Sequence, residues 1–208
     1  MNDPSGLPFA FAKGPLAKRI RERKRPLQSR SQQTVGAIVE ATLQVLIAGG
    51  IRGLNTTKVA ARAGVSIGTL YQYFPDKASL IAAVQADYAA KSTQALRDAV
   101  AESKGGTLAE VMGHLIDKAL RNKADNLTAV VGLHETQMEM WMRENSGEWL
   151  TIVRDALKHM VAKPSRIPIL LHALEGVMGS AALTQPKQLG SPAFAREVKL
   201  LAMSYLEA

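Results

Sequence analysis

The chain has 208 residues, 47% of them hydrophobic and 21% charged, which suffices for a substantial core and for one large or two smaller domains. It has no cysteine, so disulfides and thiolate metal sites are excluded. Its net charge of +8 lies wholly in the first 80 residues, where 12 Lys and Arg stand against 4 Asp and Glu, while residues 81–208 hold 14 of each sign; a neutral body with one basic end suits phosphate neutralisation.

Residues 1–30 form a basic arm with 8 basic and 2 acidic residues, concentrated in AKRIRERKRP. Arg19, Arg21, Arg23, Lys24 and Arg25 sit directly before the first predicted helix, where an arm can follow a DNA backbone or enter a minor groove. Pro26 keeps any helix in the arm from running into that next helix. The arm has too little apolar face to favour a membrane surface. No apolar run reads as long enough to span a bilayer, and the first thirty residues lack a signal-peptide segment, so a cytoplasmic protein is expected.

The first helix is predicted over 31–48, with Val35, Ile38, Val39, Thr42, Leu43 and Leu46 on one stripe and Gly49-Gly50 ending it. The stretch TTKVAARAGVSIGTLYQYFPDK, Thr56 to Lys77, then places two short helices around a Gly-centred turn. Leu54, Val59 and Ala60 supply inward contacts, Gly64 permits a positive φ, and Ser66 caps the second helix. Leu70 and Phe74 face inward at i and i+4. Ile67, Gly68, Thr69, Tyr71, Gln72 and Tyr73 are left to face outward.

A recognition helix enters the major groove by its first turns. Gln72 suits an adenine edge, Ile67 a thymine methyl, and the Thr69 hydroxyl a base or a phosphate, while Gly68 lets the backbone approach. Tyr71 and Tyr73 can donate phenolic hydrogen bonds to phosphates, and Lys77 adds charge beside a helix N-terminus.

The threonine pair Thr56-Thr57, Ala60, then Gly64-Val65-Ser66, then Gly68-Thr69-Leu70-Tyr71, Tyr73-Phe74 and Lys77 together resemble the motif of the TetR family of bacterial transcription regulators. The resemblance covers about residues 31–80, and Ile67 departs from the polar or basic residue often found there. It implies an all-α fold: an N-terminal three-helix helix-turn-helix DNA-binding domain and a larger C-terminal helical domain for ligand binding and dimerisation. The expected division is a basic arm over 1–30, a DNA-binding domain over 31–77 and an effector-binding and dimerisation domain over 78–208. Thr56, Thr57 and Ser66 join the DNA-binding set through the motif.

Beyond the motif, a helix predicted over 76–103 buries Leu80, Ile81, Val84, Tyr88, Ala95 and Leu96. Gly105-Gly106 precede another that starts at Thr107, with Leu108, Val111, Met112, Leu115, Ile116 and Ala119 inward. Helices over 124–144 and 148–162 follow, divided at Ser146-Gly147. The last two span 169–184 and 192–206. Phe194, Val198, Leu201 and Tyr205 recur at spacings of four, three and four, and Gly176 and Gly179 allow close backbone approach. Those six residues mark a two-fold four-helix homodimer interface, where the resemblance also places one.

The resemblance further implies a small-molecule effector held among the later helices. The best-marked wall is His134, Met138, Trp141 and Met142, with Met112 and Met178 and the neighbouring His114, Trp149 and His172, because methionine and tryptophan shape adaptable apolar pockets. His134-Glu135 begins like a zinc-protease motif, but Met138 stands where its second histidine belongs, so no metal is expected. No cofactor is expected either. The reading is a transcription repressor, not an enzyme, that binds a near-palindromic duplex operator; a helical enzyme or an effector-independent DNA-binding protein would be the alternatives.

Overall fold

The computed structural model describes residues 29–134 and 138–208, with side chains over 31–127, 129–131 and 148–208. Among the described residues every element is helical. In chain order these are α1 Ser29–Gly53, α2 Thr56–Arg62, α3 Ile67–Tyr73, α4 Lys77–Glu102, α5 Leu108–Asp125, α6 Leu127–His134, α7 Met138–Leu157, α8 Arg166–Thr184 and α9 Pro192–Glu207, with a 3-10 turn at Pro186–Gly190 before α9. Residues 1–28 of the basic arm lie outside the described residues, and its last two, Ser29 and Arg30, open α1. The chain divides into two compact units, the first running to Ala90 and taking in Val131–Trp141, the second comprising Lys91–Val130 and Met142–Ala208.

The first unit is built on the stripe that α1 turns inward. Ile38, Ala41, Val45 and Leu46 meet Leu54, Val59 and Ala60, Leu70 and Phe74, and then Leu80, Ala83, Val84 and Ala86 from the first half of α4. Thr42 is fully buried in this row and tolerated there because its hydroxyl donates to the Ile38 carbonyl at 2.7 Å. α1 overruns the predicted stop: the backbone leaves helical geometry at Gly50 (φ 60°, ψ −169°) but resumes for one more turn to Gly53.

The second unit packs α5 against α8, α9 and the 3-10 turn. Val111, Met112, Leu115, Ile116 and Leu120 are buried on α5, and Leu170, Leu174 and Met178 on α8. Burial of each such side chain stabilises by about 1.5–3 kcal/mol. A capping box starts α5: the Thr107 N–H donates to Glu110 Oε2 at 2.7 Å and the Glu110 N–H to Thr107 Oγ1 at 3.4 Å. Cross-links between helices follow, from Asn122 to Ser92 at 2.9 Å and from Lys199 to Asp117 at 2.7 Å.

Two sequence expectations are corrected here. Ser146-Gly147 does not end a helix; α7 runs through it from Met138 to Leu157. Neither residue there is a proline, and a single glycine costs a helix only about 1 kcal/mol. The expectation that no apolar run is long enough for a bilayer was too strong, because Ser31–Gly53 and Arg166–Thr184 meet that test by length and composition. Both carry core-facing stripes, which accounts for their apolarity without a membrane.

Candidate nucleic-acid interface

The small helices are held by local chemistry. Asn55 caps α2, its Oδ1 accepting from the Thr57 N–H at 2.8 Å. α2 ends in a Schellman motif: the Val65 N–H donates to the Ala60 carbonyl at 3.0 Å and the Gly64 N–H to the Ala61 carbonyl at 3.3 Å. This closure needs a residue in the left-handed region, and Gly64 supplies it with φ 67°. Ser66 then caps α3, its Oγ accepting from the Thr69 N–H at 3.0 Å. The turn is therefore written in three consecutive residues, and it fixes the angle at which α3 leaves α2.

Leu70 and Phe74 anchor the inner side of α3 at 0% and 2% exposure. On the outer side Ser66, Ile67, Gly68, Tyr71 and Gln72 are exposed, and Thr69 is half-buried. Tyr73 departs from the outward set: it is half-buried and packs on the core of the first unit. The reason is angular, since residue 73 lies only one position from Phe74 and its ring reaches back along the apolar side. The Tyr71 hydroxyl lies 3.1 Å from Thr56 Oγ1, joining α3 to the first turn of α2. The Thr69 hydroxyl lies 2.8 Å from Ser66 Oγ. Both pairs are exposed, so each hydroxyl keeps spare capacity for a phosphate or a base.

Thr57 and Lys77 are also exposed. Lys77 opens α4, whose first turn is closed reciprocally: the Ser79 N–H donates to Asp76 Oδ1 at 2.7 Å and the Asp76 N–H to Ser79 Oγ at 3.3 Å. Arg19, Arg21, Arg23, Lys24 and Arg25 fall outside the described residues. Sequence reasoning passed over Lys58 and Arg62, which stand four apart on α2 and line an open, mainly apolar groove of about 490 Å³ with Val45, Ala48, Gly49, Gly53 and Ala61. The signal was present as i, i+4 basic spacing in a helix whose other face is apolar.

In the second unit Met112 and Met178 are core residues, 1% and 5% exposed. The side chains of His134, Met138, Trp141 and Met142 lie outside the described residues. His114 and His172 each donate from Nδ1 to a carbonyl one turn back, Glu110 at 2.9 Å and Pro168 at 2.7 Å, and the His172 ring meets Trp149 edge-on at 6.0 Å between centroids.

The candidate dimer residues divide by depth. Gly176 and Leu201 are exposed, and Gly179, Phe194 and Tyr205 are half-buried. Tyr205 is engaged within the chain, with the Arg166 guanidinium 5.4 Å from its ring centroid and donating to its carbonyl at 2.9 Å. Val198 is a correction: at 2% exposure it faces the core of its own unit with Ala202 and Leu206. The inward row of α9 has spacing four, which leaves Leu201 at its margin and Leu200 fully outside at 61% exposure. Beside them α8 presents Ile169, Ala173, Gly176, Val177, Ser180 and Leu183 as one exposed stripe.

Residues 38–84 match the family model described as bacterial regulatory proteins, tetR family. Over these residues the chain is similar to the DNA-binding domain of the TetR family. The transcriptional repressors KstR of Mycolicibacterium smegmatis and of Rhodococcus jostii are each 46% identical over 44 residues, which are 21% of this chain and 22% and 21% of theirs. KstR of Mycobacterium tuberculosis is 33% identical over 85 residues, 40% of this chain and 37% of the relative. The chain thus aligns with only about a fifth of the length of the first two relatives. Over most of its length the fold is that of TetR-family structures. A TetR-family transcriptional regulator assignment from Mesorhizobium loti superposes with a TM-score of 0.71 at 18% identity, covering 86% of this chain and 98% of that one. The fatty acid degradation regulator FadR of Bacillus halodurans gives 0.64 at 18% identity, covering 83% and 94%.

Proposed function

We propose that this chain is a TetR-family DNA-binding transcription repressor of the cytoplasm, not an enzyme, that holds a near-palindromic operator as a homodimer and is released by a small-molecule effector in its second unit. The observation that carries the reading is the outer side of α3: a rigidly capped short helix exposes Ile67, Gly68 and Gln72 at its start, while Leu70 and Phe74 fix it from behind. Ile67 offers a thymine methyl an apolar contact, Gln72 offers adenine a bidentate pair, and Thr56, Thr57, Ser66, Thr69, Tyr71, Tyr73 and Lys77 serve the flanking phosphates and the register. The related KstR proteins are named as repressors.

Two copies would meet through the exposed stripe of α8 and the outer residues Leu200 and Leu201 of α9. A two-fold reader needs its recognition helices about 34 Å apart, one turn of duplex. An effector that prefers a differently spaced dimer would release DNA by population shift, which demands about 5.5 kcal/mol of differential binding to move the balance from 99:1 to 1:99. α4 contributes residues to both units and is the element through which such a preference would act.

Selection of bound fragments from random duplex DNA tests the reading. Inverted half-sites with centres about one helical turn apart are the expected outcome. Fragments with no shared sequence, or no retention of duplex at low salt, would overturn it.

A further inference from the structure

The open, mainly apolar groove of about 490 Å³ in the first unit has two matching walls. The end of α1 contributes Val45, Ala48 and Gly49, and α2 contributes Lys58, Ala61 and Arg62, each set at i, i+3 and i+4 on one helical side. Two such stripes beside one trough form the seat that a third helix fills when it packs on a pair. We infer that this groove docks an acidic amphipathic helix of a partner protein, with apolar side chains on the floor of Ala48, Gly49 and Ala61 and carboxylates on Lys58 and Arg62; this goes beyond the operator reading and does not rest on it.

Charge sets the chemistry of the occupant. From Ala41 to Pro75 the chain carries Arg52, Lys58 and Arg62 and no acidic residue, and among the described residues none of these three makes an ion pair or a side-chain hydrogen bond. Lys58 and Arg62 stand one turn apart on α2, which is the spacing of two glutamates at i and i+4 on an incoming helix. The floor leaves room for it. A Cβ added at Gly49 or Gly53 meets nothing within 4 Å, so apolar side chains of a partner can reach down to the backbone of α1.

Other occupants fit less well. A small molecule is held by enclosing roughly 70–90% of its surface, which an open groove does not do. The chain's own arm has the wrong sign, with 8 basic residues against 2 acidic. A duplex suits the cations but not the apolar floor, and the groove lies on the wrong side of α2 for it. Thr56 turns its hydroxyl to Tyr71 of α3 at 3.1 Å, and at about 100° per residue Lys58 stands about 200° round the helix from Thr56. A partner helix on α2 therefore leaves the outer side of α3 open.

Fluorescence anisotropy on the full chain with three labelled synthetic peptides of about 18 residues, long enough to hold a helix in water, tests the assignment. The first carries leucines at i, i+3, i+4 and i+7 flanked by glutamates, the second has the same residues in scrambled order, and the third has lysine for every glutamate. The first is expected to bind wild type roughly tenfold or more tightly than either of the others. Lys58→Glu with Arg62→Glu should abolish that preference and transfer binding to the third peptide, and saturating duplex DNA should leave the affinity for the first unchanged. Scrambled peptide bound as tightly as the first, no binding of any of the three, a preference that survives the charge reversal, or displacement of the first peptide by duplex would each overturn the proposal. If the reversed protein does not fold, Lys58→Gln with Arg62→Gln decides in its place by losing the preference or keeping it. A chain that retains no duplex sinks the regulator reading alone, because the scrambled peptide and the charge variants still judge the groove.

Discussion

At Gly64 and Ser66 single atoms decide the geometry of the whole interface. A Cβ at residue 64 meets no neighbour, so Gly64→Ala should fail only through the left-handed backbone, costing about 1–2 kcal/mol of stability. Ser66→Ala leaves the Thr69 N–H without its cap and should cost about 1 kcal/mol. Urea titrations monitored by circular dichroism check both; a Gly64→Ala protein as stable as wild type would contradict the turn assignment. At Lys77 the expectation is different in kind. Lys77→Ala should weaken binding to operator and random duplex alike and reduce the salt slope by about 1, as loss of one phosphate contact does. Sequence already showed Gly64, Ser66, Leu70 and Phe74, because caps and short helical periodicity are local. Tyr73 was misjudged as outward because its depth is set by how far a ring can lean over a neighbouring core, which spacing alone does not report.

Among the elements, α5 has a start that responds to pH. The backbone N–H of Thr107 and then its hydroxyl hold the Glu110 carboxyl below its ordinary value of 4.5, against a small opposing effect of burial, and His114 adds to the lowering. The folded state thus binds the proton more weakly than the unfolded state. The stabilisation is present above the unfolded value and is lost as pH falls through the lowered folded one. Glu110→Gln should therefore narrow the gap in thermal stability between neutral and acid pH in scans from pH 7 to about pH 3; an unchanged gap would show that the capping box contributes nothing. α8 and α9 carry a second expectation: Val177→Lys with Leu200→Lys should leave the fold intact and yield a monomer by light scattering, because both side chains are exposed within one chain. A persisting dimer would place the contact elsewhere. Periodicity put Val198 on the outer row of α9, whereas it is buried in its own unit, since two stripes one position apart look alike until the neighbouring helix is known.

On the scale of the whole molecule, charge separation was the plainest message of composition: a basic front and a balanced body. Removing residues 1–25 should flatten the salt dependence of DNA binding by about 0.9 for every arm cation that meets a phosphate. An unchanged slope would make the arm a bystander. The all-helical character was legible from glycine punctuation and periodicity, whereas the compact units divide at Ala90 and return residues Val131–Trp141 to the first, which no local signal marks. The polar couplings within the second unit were not, because Asn122 to Ser92, Lys123 to Glu175 and Lys199 to Asp117 join positions 30 to 82 residues apart. The claim on which the rest depends is that the outer side of α3 reads base edges. Equilibrium binding of wild type and Gln72→Ala to a selected operator and to a random duplex, at one fixed ionic strength, tests it most directly. The account predicts a loss of about 1–3 kcal/mol on the operator and almost none on the random duplex; an equal loss on both, or none on either, would contradict it.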